Sequence, residues 1–125
     1  ALNGEILGKP RSIDDAKKLL TKLSGQTHEV LTSVAVGYWD AHDQWLSLQR
    51  VSRSQVRFSS LSARQIDRYV ATEEPFGKAG GYGIQGVAAL FIDCINGSYS
   101  GIMGLPAYET SQLLEAVGVE LVVSP

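Results

Sequence analysis

The sequence is poor in several residue types that mark common protein classes. A single cysteine, Cys94, excludes an internal disulfide, and no set of cysteines and histidines has zinc spacing. Lysine and arginine number 11 against 13 aspartates and glutamates, a net charge of −2, so there is no broad positive field for a nucleic acid or an anionic membrane. An anionic ligand would have to be held by a few placed groups. No apolar run has transmembrane length, and the opening residues do not read as a secretory signal. These absences together predict a cytoplasmic protein with no membrane or nucleic-acid partner, and a buried, reduced Cys94 inside the run VAALFIDCI.

What remains is ordinary globular material. The 125 residues are 44% hydrophobic and 19% charged, enough for one domain, 1–125, with its own core. Asn3-Gly4 between apolar residues is a strong hairpin signal, because both turn positions need positive φ. Only two residues precede it, so the chain is expected to be the carboxy-terminal part of a longer protein. Residues 12–24 read as a helix capped by Ser12, with Asp14 and Asp15 at its positive end and Ile13, Ala16, Leu19, Leu20 and Leu23 on one face. Residues 28–38 and 45–59 read as two strands of an antiparallel ribbon around a turn at 41–44, with Val30, Thr32, Val34 and Val36 sharing a face. Trp39 and Trp45 bracket the ribbon tip and are expected to pack on each other. Ser62 with Gln65 is a capping-box pattern opening a helix over about 62–72.

The second half of the chain predicts a continuous strand over 87–95 covered on both faces, a second hairpin at Asn96-Gly97, and a strand over 98–103 that includes Tyr99. A last helix is expected over 109–117, with ELVVSP as an edge strand or a frayed tail. The sum is a mixed α/β fold with a partly antiparallel sheet and flanking helices.

Residues 78–86, KAGGYGIQG, contain G-x-G-x-x-G. A dinucleotide loop needs a strand before it and a helix after it. Here a helix precedes, so the Rossmann reading is rejected. The glycines still allow sharp turns or close approach to a ligand. Lys78 supplies a point charge suited to phosphate, and Gln85 an amide that can donate and accept at a base edge. The residues alone leave this open beside a flexible loop with a solvated Lys78. His28 reads as a structural residue near a cleft, Glu73 and Glu74 as solvated, and the Asp40, His42, Asp43 set as surface. Asp93 reads as a paired or strand-end carboxylate rather than a catalytic base.

KAGGYGIQG, followed by INGSYSGIMGLPAYET and preceded by LNGEILGKP and LSGQTHEVLTSVAV, resembles the Maf family of nucleoside triphosphate pyrophosphatases over nearly the whole chain. The resemblance implies an elongated, ITPase-like α/β fold with a cleft between two lobes. It implies hydrolysis of a nucleoside triphosphate to monophosphate and diphosphate with a divalent cation, usually magnesium, as part of nucleotide-pool housekeeping. Carried over by position, Lys9 and Lys78 would contact phosphate and Gln85 would help select the base. The Lys-Ala-Gly and Ile-Gln-Gly pattern resembles the branch acting on dTTP and UTP.

Gly77 stands where the family usually has Asp, which removes a carboxylate beside Lys78 and is expected to loosen it. Gly81 stands where Ala is common and is expected only to add flexibility. The family's Ser-x-Ser-Pro-Arg-Arg segment and its catalytic Asp have no counterpart here, so no catalytic residue is assigned in this chain and the metal ligands are unknown. The chain alone is expected to turn over substrate poorly or not at all, since loss of a general base typically costs about 10² to 10⁴ in rate. A non-catalytic or degenerate nucleotide-binding module is the alternative, and a homodimer is compatible with either.

Overall fold

The computed structural model describes residues 1–125. The order is α1 (Ile13–Leu23), β1 (Thr27–Trp39), β2 (Trp45–Phe58), α2 (Ala63–Ala71), β3 (Ile92–Asn96), α3 (Tyr99–Met103) and α4 (Ala107–Ala116). Short 3₁₀ turns at Ala79–Gly81 and Val87–Leu90 lie between α2 and β3. The three strands form one antiparallel sheet in the order β1-β2-β3. The fold is thus α/β with an antiparallel sheet and flanking helices.

The first half follows its local signals. Asn3 and Gly4 have φ of 49° and 81°, and Leu2 pairs with Glu5 across them. The Ser12 hydroxyl accepts the Asp15 N–H at 3.1 Å and starts α1. In α2 the capping box is complete: Ser62 Oγ accepts the Gln65 N–H and Gln65 Oε1 accepts the Ser62 N–H. Together the caps satisfy N–H groups that each helix cannot pair internally.

The core lies where α1 and α2 cover the proximal end of the ribbon. Leu20 and Leu23 of α1, Val56 and Phe58 of β2, and Ile66, Tyr69 and Val70 of α2 are buried together with Tyr82 and Ala88. Each large apolar side chain removed from water here contributes about 1.5–3 kcal/mol. The alternation of inward and outward residues is regular along β1 from Val30 and along β2 from Val51 to Phe58, while the distal half of β2 is almost wholly exposed. At the distal tip Trp39 and Trp45 meet edge to face, ring centroids 5.2 Å apart, and both stay exposed.

The second half departs from the sequence expectation in three places. Residues 87–90 form a 3₁₀ turn, not the start of a strand, and β3 begins only at Ile92. The cause is a carboxylate from far upstream: Glu74 accepts the N–H groups of Val87 at 2.9 Å and Ala88 at 3.2 Å and winds the backbone there. β3 is an edge strand, so Cys94 is exposed, not buried. Asp93 beside it pairs with Arg57 at 2.6 Å.

Asn96-Gly97 makes no hairpin, and residues 99–103 are helical. Ser98 Oγ accepts the Gly101 N–H at 2.9 Å, which caps the turn. The short helix docks on a small-residue face of the ribbon. Ser54 Oγ accepts the Ser98 N–H at 2.9 Å, and Thr32 Oγ1 donates to the Gly101 carbonyl at 2.7 Å. Tyr99 is therefore an exposed helical residue. The tail is neither strand nor fray: Ser124 Oγ accepts the Leu121 N–H at 2.8 Å and closes a turn, with Val122 and Val123 in solvent.

Candidate functional site

The glycine-rich loop gains its shape from tethers to three other parts of the chain. The Gly80 N–H donates to the Gly8 carbonyl at 2.9 Å, and the Gly83 N–H donates to the Tyr69 hydroxyl at 3.2 Å. Tyr82 turns inward and meets His28 of β1, its hydroxyl 2.6 Å from Nε2. Gly77 and Gly81 have φ of 81° and 77°, a left-handed conformation that glycine holds without strain. A side chain at Gly77 would meet only open space, so the missing carboxylate leaves no gap in packing. Gly81 is needed for its backbone angle and is more than a source of flexibility.

Between this loop and the base of β1 opens a cleft of about 620 Å³, within the usual range for a small-molecule site. Its lining comes from Ala1, Ile6 and Leu7, Leu23 at the end of α1, residues 28–32 of β1, the loop between Gly77 and Gln85, and Ile102 to Gly104 at the end of α3. Apolar groups dominate, with a few polar ones set among them. The Lys78 ammonium donates to the Glu74 carbonyl at 2.9 Å, and its stem lies against Gly83. Gln85 is exposed, and its side chain has no hydrogen-bond partner in the protein. Glu29, the acid of the cleft lining, faces Arg53 at 3.4 Å.

His28 is the buried polar group of the cleft, 5% exposed and flanked edge to face by Phe58 and Tyr82. Burial lowers its pKa from 6.5 to about 4. The ring is neutral at neutral pH. The Tyr82 hydroxyl and His28 Nε2 share one hydrogen bond, whose donor is set by the ring tautomer. Nδ1 is buried and has no partner. Burial also raises the Tyr69 and Tyr82 phenols, for Tyr69 with help from a hydrogen bond to Glu74, so both stay protonated.

Of the residues singled out in the sequence, Lys78 and Gln85 share this cleft. Lys9 does not line it. Lys9 sits with Arg11, Lys22, Glu5 and Asp15 in a neighbouring depression of about 200 Å³, and Ile6 and Leu7 line both. Glu74 is not solvated as expected: its carboxylate holds the turn that follows Gln85. The only local hint of that role was Gly86, where a side chain would collide with the Glu74 carboxylate. The Asp40, His42, Asp43 set forms the ribbon turn, with Asp40 Oδ1 accepting the His42 and Gln44 N–H groups.

The loop, the cleft and the motifs around them define a class. Residues 1–117 match the family described as Maf-like protein. The chain belongs to that family. Several similar proteins bear the name dTTP/UTP pyrophosphatase. That of Aromatoleum aromaticum is 54% identical over 96% of this chain and 56% of its own length. That of Ralstonia nicotianae is 52% identical over 96% and 56%, and that of Chromobacterium violaceum 50% over 95% and 58%. The chain thus spans a little over half the length of these curated relatives.

Proposed function

We propose that this chain forms part of the nucleotide cleft of a pyrophosphatase that hydrolyses dTTP and UTP to the monophosphate and diphosphate. The observation that carries the reading is that Lys78 and Gln85, the latter with no side-chain partner in the protein, both line one largely apolar cleft. An ammonium has three N–H donors, and one is taken by the Glu74 carbonyl, so the others are free for phosphate oxygens. The Gln85 amide offers a donor and an acceptor side by side, the complement of a pyrimidine edge. Ile84, Ile102 and Met103 supply the apolar surface against which a base would lie. Lys9, in the adjoining depression, would reach phosphate oxygens that extend past Ile6 and Leu7.

Hydrolysis also needs a group that activates water and a divalent cation that offsets charge on the phosphates. The acid of the cleft lining, Glu29, is paired with Arg53 and is not assigned as a base. No three His, Cys, Asp or Glu side chains of the chain converge as a cation site. The reading therefore assigns neither role to these residues, and gives them binding and base selection. No helix is long and apolar enough to cross a membrane, and the proposed setting is the cytoplasmic nucleotide pool.

Titration calorimetry with dTTP and magnesium tests the reading, with diphosphate release followed in parallel. Binding with weak or no turnover is expected. Lys78→Met keeps the stem against Gly83 and removes the charge, and should weaken dTTP binding by about tenfold or more while thymidine binding stays the same. Equal loss for thymidine and dTTP would remove Lys78 from a phosphate role.

A further inference from the structure

Glu74 touches both ends of the recognition loop. Its backbone carbonyl accepts the Lys78 ammonium at 2.9 Å. Its carboxylate accepts the N–H groups of Val87 and Ala88, at 2.9 and 3.2 Å, just past Gln85. The carboxylate lies so close to the loop that a Cβ on Gly86 would overlap it, although the φ of −105° there suits any residue. Two bonds to one carboxylate leave the 3₁₀ turn little freedom to shift, and charge-assisted bonds of this kind are the stronger class. Gln85 has no bond of its own, so the turn that follows it sets where its amide stands.

We infer that Glu74 is a specificity-positioning residue: it fixes the spacing between the ammonium that takes phosphate and the amide that reads the base, an inference that rests on the nucleotide reading of the cleft. Its carbonyl and its carboxylate separate the roles, the carboxylate also holding the Tyr69 hydroxyl that anchors Gly83. A change of side chain spares the backbone carbonyl that holds Lys78 and removes the hold on the turn after Gln85. Base preference should then fall while phosphate affinity stays.

The test compares the wild-type chain with Glu74→Ala and Glu74→Gln. Calorimetry with magnesium present measures affinity for dTTP, dGTP and inorganic diphosphate, and amide exchange is read at Val87 and Ala88. In Glu74→Ala the preference for dTTP over dGTP should fall by about tenfold, with diphosphate affinity unchanged and exchange at both amides faster by about tenfold or more. Glu74→Gln, which keeps the shape and one acceptor, should fall between the two and serves alone if the alanine variant does not fold. A folded variant with full base preference, with unchanged exchange, or with diphosphate and dTTP weakened equally would overturn the inference. A wild-type chain with no dTTP preference would overturn the nucleotide reading itself, and is seen before any variant is made.

Discussion

The Tyr82 hydroxyl sits 2.6 Å from His28 Nε2, joining the glycine-rich loop to the first strand across 54 positions of sequence. This bond and the ring contacts with Phe58 make the inner wall of the cleft part of the core. Tyr82→Phe would keep the ring packing and leave His28 without its remaining partner. An unpaired buried polar group costs about 1–3 kcal/mol. Urea unfolding should show that loss with an unchanged slope, and a variant as stable as wild type would show that the bond adds nothing.

The same histidine predicts a pH dependence of stability. Its folded pKa lies near 4, below the unfolded value of 6.5. Between these values the unfolded chain holds the extra proton, so acid favours unfolding. Stability from this source is complete above about pH 6.5, falls as pH drops toward 4, and changes no further below that. At about 1.4 kcal/mol per pH unit the full effect is about 3 kcal/mol. Urea midpoints across this window should decline for wild type. A His28→Gln chain should decline less, and an equally steep fall would assign the effect to other groups.

Gln85 should matter for choice of base and little for folding. It is exposed and bonds to nothing in the protein, so Gln85→Glu should shift stability by no more than about 0.5 kcal/mol. The change replaces the donor half of the amide with an acceptor. The preference for dTTP and UTP over other triphosphates should weaken in competition binding. An unchanged ranking would remove Gln85 from base recognition.

These predictions draw on parts of the fold that differ in how far the sequence disclosed them. Both major helices, the ribbon and its alternation were legible because their signals are local: a cap at Ser12 or Ser62, a period of residues, a turn of polar residues. Lys78 and Gln85 were singled out only through motif resemblance, since neither composition nor periodicity distinguishes them from solvated loop residues, and their proposed roles rest on that resemblance. The run VAALFIDCI misled because an apolar stretch does not declare its conformation. Its first residues are wound by Glu74, 13 positions away. Cys94 was misplaced for the same reason, since only the sheet order reveals that β3 is an edge. Lys9 was singled out by its motif alone, and only the packing of Ile6 and Leu7 shows that it lines the depression beside the cleft.

The helix in place of the expected strand at 99–103 depends on close approach to the ribbon. A Cβ at Gly101 would collide with the Ser52 hydroxyl and come within 3.1 Å of Ser52 Cβ. Ser52 is 3% exposed on β2 and cannot swing into solvent. Gly101→Ala should therefore destabilise by about 1–3 kcal/mol, as overpacking does. Ser52→Ala removes the hydroxyl, the nearest obstacle, and its own cost should be smaller because no larger group is lost from the core. The double variant should be more stable than the sum of the single changes predicts, by at least about 0.5 kcal/mol, the level at which neighbouring residues show coupling. Strict additivity in urea unfolding would mean that α3 does not dock on Ser52, and the wall of the cleft formed by Ile102 and Met103 would lose its support.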